Sequence, residues 1–244
     1  MEGPSIVILC EEAKAFINKK VIGVKGNTKI GKERLLNQKI TDLKSWGKHF
    51  IICFNSFFVR IHFLMYGSYR INERKETPVR LSLKFKNGEF NFYNCSIKIV
   101  EGSFYSEYDE EINVMSDKWN EKKAIRTLKQ LNEKTQVCDA LLNQNIFAGV
   151  GNIIKNEVLF RIKIHPKSLV SALKPKQLKQ LVTETRNYCF DFYRWKKKYE
   201  LKKHWLAYKK KICPRDNISF TRTYLGHPER LTFYCRKCQK LYVN

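Results

Sequence analysis

The chain predicts an α+β fold. It would comprise an N-terminal β-sandwich with a flanking helix, a C-terminal helical region, and a zinc-ribbon-like β-hairpin at the end. Three observations predict it. A segment of helical period is followed by a series of strand-like runs. An acidic, aperiodic stretch, Glu101–Asp117, then separates these from a half that reads as helices. Finally, a Cys-x-x-Cys pair follows the last strand-like run. The expected domains are 1–112, 113–208 and 209–244.

The elements follow in order. Residues 6–18 place Ile6, Leu9, Cys10, Ala13, Phe16 and Ile17 close to a 3.6 spacing, which predicts a helix packed on one face. Val21–Val24, Ile40–Leu43, Phe50–Phe54, Phe57–Phe63, Val79–Phe85 and Glu89–Tyr93 read as strands. Lys86-Asn87-Gly88-Glu89 between the last two is a hairpin signal, because Asn and Gly adopt positive φ at low cost. Beyond the acidic stretch, helices are expected over Lys118–Leu131, Val137–Gln144, Asn152–Phe160 and Lys176–Trp195. Pro175 suits the start of the last one, and Leu178, Leu181, Val182, Thr185 and Cys189 form its apolar face.

Charge narrows the function. The 244 residues hold 47 Lys+Arg against 23 Asp+Glu, a net charge of +24. Such an excess opposes compaction and implies a polyanionic partner, nucleic acid first and an anionic membrane surface second. A hydrophobic fraction of 43% and an aromatic fraction of 13% exclude a disordered basic tail. Between Arg194 and Lys211 the lysines alternate with Trp195, Tyr199, Trp205 and Tyr208, a pattern suited to nucleic acid. No apolar run approaches the ~18 residues that span a bilayer, and no secretory signal fits the N-terminus. The expectation is a cytoplasmic, nucleoid-associated monomer.

Two motifs carry chemistry. Cys235-Arg-Lys-Cys238 supplies two metal ligands from one turn, and Cys213 lies upstream at a zinc-ribbon distance. Asp216 stands where a fourth thiolate is usual, so zinc would be held by Cys213, Asp216, Cys235 and Cys238; His204 and His227 are alternative fourth ligands. Cys10, Cys53, Cys95, Cys138 and Cys189 read as buried free thiols. Upstream, Gly149-Val-Gly151-Asn152 opens a helix. Glycines there admit a phosphate close to the backbone, and the helix N-terminus adds oriented N–H donors.

Five separated motifs, in order over nearly the whole chain, resemble the formamidopyrimidine-DNA glycosylase / endonuclease VIII family. Glu2-Gly-Pro-Ser-Ile6 resembles that family's N-terminus. Trp46-Gly-Lys48 resembles its hairpin lysine motif, and His62-Phe-Leu-Met65-Tyr-Gly67 the strand and loop that carry its void-filling methionine. Leu141–Gln144, Gly149–Glu157 and His165-Pro166 resemble its helix–two-turn–helix. Glu229–Gln239 resembles its zinc hairpin with the arginine, here Arg230.

The resemblance implies base excision repair on damaged double-stranded DNA. The damaged nucleotide is flipped from the duplex. An N-terminal amine attacks C1′, and the Schiff base is resolved by strand cleavage. On that pattern Met1 supplies the amine, Glu2 moves protons at the opening sugar, and Lys48 binds phosphate or polarises the ring. Gly149, Gly151, Asn152 and Arg230 bind the backbone. Glu2 read alone is also a helix-favouring acid, and Met65 is either core or a wedge that fills the gap left by the extruded base. Around Tyr93-Asn-Cys-Ser96 the family's other void-filling residues have no match.

One departure matters. The family exposes a proline after removal of its initiator methionine. Here Met1 directly precedes Glu2, occupies that proline's register, and is expected to be retained because Glu2 is large. A primary amine also forms imines, so glycosylase and abasic-site lyase chemistry survives. The alternative is a catalytically weak or inactive damaged-DNA binding protein on the same fold. A basic RNA-associated zinc-ribbon protein is a third reading.

Overall fold

The computed structural model describes residues 1–243 and bears out the α+β class. Contacts divide the chain into two units. One comprises Met1 and Ser5–Asp109; the other comprises Glu2–Pro4 and the residues from Glu110 onward.

The first unit holds most of α1 (Gly3–Glu12), then β1 (Gly23–Lys25), β2 (Asp42–Trp46), β3 (His49–Cys53), β4 (Phe57–Ile71), β5 (Leu81–Phe85), β6 (Gly88–Glu101) and the short α2 (Phe104–Glu107). The strands form one antiparallel sheet in the order β1-β5-β6-β4-β3-β2. Its two long strands are shared by two halves. The C-terminal part of β4 and the N-terminal part of β6 pair beside β5, whereas their other ends pair beside β3. A register shift between Phe63 and Ser68 separates the halves. The sheet thereby folds over its own core. Phe50 of β3 meets Phe90 and Phe92 of β6 at 5.5 and 6.0 Å between centroids, and Phe16 stacks on Phe85 at 4.6 Å. This is a sandwich made from one bent sheet.

Both β4 and β6 outrun their sequence-based ends at Phe63 and Tyr93. The ladder resumes after the bulge, so pairing carries both strands past those ends. α1 begins at Gly3 rather than Ile6, since Pro4 in a first turn forfeits no helical N–H bond. The Lys86-Asn87 turn closes the β5–β6 hairpin as expected, with Gly88 at φ +148°.

The second unit holds α3 (Glu121–Lys129), α4 (Val137–Leu142), α5 (Asn152–Arg161), α6 (Pro175–Lys197), β7 (Thr221–Leu225) and β8 (Arg230–Tyr234). The Asn120 side chain accepts the Lys123 N–H and starts α3 three residues later than periodicity suggested. Pro175 occupies the first turn of α6, and that helix buries Leu178, Leu181, Val182, Thr185 and Cys189 as expected. Leu178, Leu181, Val182 and Cys189 pack with Val137, Leu141, Phe147, Val150, Ile154 and Val158 in one apolar core. No helix among the described residues is long and apolar enough to cross a membrane.

Candidate active site and metal centre

In the second unit the site is built around the turn into α5. Gly149 has φ +106°, a conformation that disfavours any side chain. The Gln144 amide staples this turn: its Oε1 accepts the Gly149 N–H at 3.1 Å, and its Nε2 donates to the carbonyls of Leu142 and Val150. The Gly3 N–H donates to the Gly149 carbonyl at 2.8 Å, which brings the chain start to the turn.

The Glu2 carboxylate, 9% exposed, then accepts the N–H groups of Ile153 at 2.8 Å and Ile154 at 3.3 Å. An acid at the first turn of a helix meets orphan donors and the positive end of the helix dipole. Gly151 is required for a different reason from Gly149. A Cβ there would stand 2.5 Å from Glu2 Cγ and 2.6 Å from its Oε1, inside the carboxylate's own volume.

One face of α5 holds β8. Asn152 Nδ2 donates to the Leu231 carbonyl at 2.9 Å, Lys155 Nζ to Thr232 Oγ1 at 2.8 Å, and the Phe233 N–H to Asn156 Oδ1 at 2.7 Å. Three consecutive residues of β8 are thus registered by one helix. Thr232 in turn donates to the Arg230 carbonyl at 2.8 Å, so the strand position of Arg230 is fixed while its guanidinium stays exposed. Lys155 is fully buried, and desolvation pushes its ammonium down to about 8 against the attraction of Cys138, Asp139 and Glu2. The buried Glu157 carboxylate accepts three backbone N–H groups, from Leu206, Ala207 and Tyr208, and anchors the lysine-rich segment.

The first unit carries Met1, Lys48 and Met65. Lys48 lies half-buried in the tight β2–β3 turn, with Gly47 at φ +52°. Beside it, His49 and His62 meet edge to face at 5.5 Å, and the His49 ring pairs with the Tyr108 hydroxyl at 3.2 Å. Burial, then His62, Arg60 and Lys48, hold His49 down to about 4. Burial, Lys48, the N-terminal ammonium and Arg60 lower His62. Both imidazoles are therefore neutral in a cationic neighbourhood at pH 7. Met65 is 76% exposed at the β4 bulge, which removes the core reading. β6 runs through Tyr93–Ser96 without a loop.

Cys213, Asp216, Cys235 and Cys238 converge in the second unit, with one ligand atom from each within 4.8 Å of all the others. Cys213 Sγ lies 3.5 Å from Asp216 Oδ2 and 3.9 Å from Cys238 Sγ, and Cys235 Sγ lies 3.2 Å from Asp216 Oδ2. Tetrahedral zinc with Zn–S near ~2.3 Å places its ligand atoms about 3.5–3.8 Å apart, so the donor set fits. His204 is absent from the cluster and stacks on Trp195 at 4.2 Å; His227 is absent too. The other five cysteines are free thiols, and burial raises Cys10 and Cys95 to about 12.

Sequence reasoning missed Lys155, the His49–His62 pair and the roles of Gln144 and Asn156. The position of Lys155 one helical turn before Val158 and Leu159 was its available signal; the histidine pair depends on a cross-strand register, His49 opposite His62.

Comparison with known proteins agrees with these features. Residues 10–96 match the formamidopyrimidine-DNA glycosylase N-terminal domain, and residues 113–189 match the formamidopyrimidine-DNA glycosylase H2TH domain. Endonuclease 8-like 3 of Xenopus laevis is 33% identical over 211 residues, covering 81% of this chain and 34% of that protein. Endonuclease 8-like 2 of Mus musculus is 33% identical over 199 residues, covering 74% and 57%.

Among solved structures, Lactococcus lactis formamidopyrimidine-DNA glycosylase bound to DNA containing an abasic site superposes with a TM-score of 0.87 at 20% identity. A viral DNA glycosylase superposes with a TM-score of 0.84 at 19% identity. Each covers 98% of this chain and all of the other. The chain belongs to the formamidopyrimidine-DNA glycosylase / endonuclease VIII family. It spans about a third of the length of the endonuclease 8-like 3 relatives.

Proposed function

We propose that the chain is a base-excision DNA glycosylase and abasic-site lyase acting on oxidised bases in duplex DNA. The observation that carries this reading is the Glu2 carboxylate, held on the first turn of α5 immediately after the residue whose α-amine attacks. An α-amine of pKa about 7.7–8.0 is substantially neutral at working pH and therefore nucleophilic. Its nitrogen bonds to C1′ as the glycosidic bond to the damaged base breaks. One nitrogen proton leaves with the base, Glu2 relays the second to the ring oxygen as the C1′–O4′ bond breaks, and an imine results. Removal of a C2′ proton then expels the 3′ phosphate and cuts the strand.

The remaining residues bind and position. Lys48 pairs with a phosphate beside the reacting sugar, and the neutral His49 and His62 add no charge competing for it. Asn152 keeps one amide N–H beyond its bond to Leu231, and with Arg230 it clamps the backbone of damaged double-stranded DNA. Met65 fills the space left by the flipped nucleotide. Zinc held by Cys213, Asp216, Cys235 and Cys238 stabilises the β7–β8 hairpin and takes no part in the chemistry. The +24 net charge draws the duplex in.

The absence of the family's proline favours a second reading, a lesion binder without lyase activity. Incision assays on duplexes with an oxidised pyrimidine, an oxidised purine or an abasic site separate the two. The proposal expects cleavage of at least the abasic duplex. Tight binding to all three without cleavage would overturn it.

A further inference from the structure

Within the first unit, an open pocket of about 610 Å³ lies at the mid-strand bulge of β4. Its walls include Tyr66, Tyr93, Lys75, Arg80, Asn27 and Asn94, and no acidic residue lines it. Lys75 Nζ donates to Ser68 Oγ at 2.6 Å and sits 5.5 Å from the Tyr93 ring centroid. Arg80 donates to the Asn27 carbonyl and side-chain oxygen at 2.9 and 3.2 Å. Among the described residues neither cation pairs with a carboxylate. Of the nearby acids, Glu73 pairs with Arg70, and Glu89 with Arg74, which holds its carboxyl down to about 2; Glu76 is exposed and does not line the pocket. Two cations therefore face a hollow with no internal counter-charge.

Tyr66 adds a flat apolar surface. The residue is 91% exposed, and its backbone sits at φ +68°, a left-handed conformation that an aromatic residue adopts at a cost. Asn94 Nδ2 donates to the Met65 carbonyl at 2.6 Å and pins the bulge. A strained, exposed and pinned tyrosine beside Met65 contributes nothing visible to the core. An aromatic face, two uncompensated cations and amide groups in one hollow form a complementary set for a base, its phosphate and its polar edge.

We propose that this pocket binds a single unpaired nucleotide, with its base stacked on Tyr66 and its phosphate on Lys75 and Arg80. The inference rests on the DNA-processing reading above and assigns to it a second nucleotide site, separate from the residues that act on the lesion. The nucleotide comes from a DNA strand or is a free 5′-monophosphate, and the two sources have different signatures.

The test uses the full chain and an oligothymidylate strand carrying one 5-iododeoxyuridine, irradiated and mapped by mass spectrometry, with dTMP as competitor. The adduct is expected on Tyr66. Tyr66→Ala and Lys75→Gln should each weaken strand binding about tenfold, and Tyr66→Phe should retain it. Both positions are solvent-accessible, and equal melting temperatures will verify intact folding. Displacement by dTMP identifies a free nucleotide as sufficient; resistance to dTMP with the Tyr66 adduct retained identifies the strand. Adducts elsewhere, with Tyr66→Ala binding as the parent does, overturn the proposal. Borohydride trapping on an abasic duplex is scored in the same parent preparation. Trapping without a Tyr66 adduct overturns the pocket alone, and a Tyr66 adduct without trapping overturns the lyase reading alone.

Discussion

The Glu2 carboxylate accepts the Ile153 N–H at 2.8 Å, joining residues 151 positions apart. This contact gives Glu2 a structural role as well as the proposed chemical one, and the two roles separate by mutation. Glu2→Gln keeps an oxygen acceptor for Ile153 but loses charge and proton transfer. Its stability should change by less than about 1 kcal/mol, and strand cleavage should fall roughly 100-fold. A variant with altered melting but parental cleavage would reduce Glu2 to a helix cap.

Gly151→Ala should act through the same carboxylate. The added Cβ overlaps Glu2, so either the carboxylate leaves the helix or α5 shifts. Destabilisation of about 1–3 kcal/mol by denaturant titration is expected, together with loss of cleavage. Parental activity would show that the Glu2 position is dispensable.

Lys155 makes stability depend on pH in a defined direction. Its folded pKa of about 8 lies below the ordinary value of 10.5. Between those values the unfolded chain binds the extra proton, so stability rises with pH through that window. Below about pH 8 the charged, buried ammonium costs on the order of 3 kcal/mol. Lys155→Met should therefore melt higher than the parent at pH 7, and the gap should shrink as pH rises toward 10. A gap independent of pH would contradict this assignment.

The metal cluster predicts a gain as well as a loss. Asp216→Cys completes a four-thiolate set and should raise zinc retention against a chelator, read by metal content after dialysis. Cys235→Ser should lower both retention and melting temperature. Equal metal content in all three proteins would remove zinc from the account.

Duplex affinity should fall steeply between 50 and 200 mM salt, by about 10³-fold if six phosphates are contacted. Arg230→Ala and Asn152→Ala should each weaken binding, and Arg230→Ala should also flatten the salt slope by about one unit. Salt-independent binding would contradict the clamp.

Much of this was legible in the sequence, because its motifs are local. Gly149-Val-Gly-Asn encodes its turn through positive φ and close approach, and Cys235-x-x-Cys238 encodes two ligands in one turn. The α6 apolar face followed from period alone. What was not legible depends on register between distant segments. The sharing of β4 and β6 by two half-sheets required the Phe63/Ser68 bulge, which depends on cross-strand register and not on local composition. The burial of Lys155 required β8 to pack on α5, since only then does Thr232 meet its amine. Met65 was ambiguous because an apolar residue in an apolar run reads as core, and only the bulge turns it outward.

The central claim is attack by the α-amine that precedes Glu2. Intact-mass and N-terminal analysis of the borohydride-reduced complex with an abasic duplex tests it directly. The account predicts one strand fragment attached to the Met1 nitrogen. Attachment at a lysine side chain, or no adduct while the duplex is demonstrably bound, would contradict it.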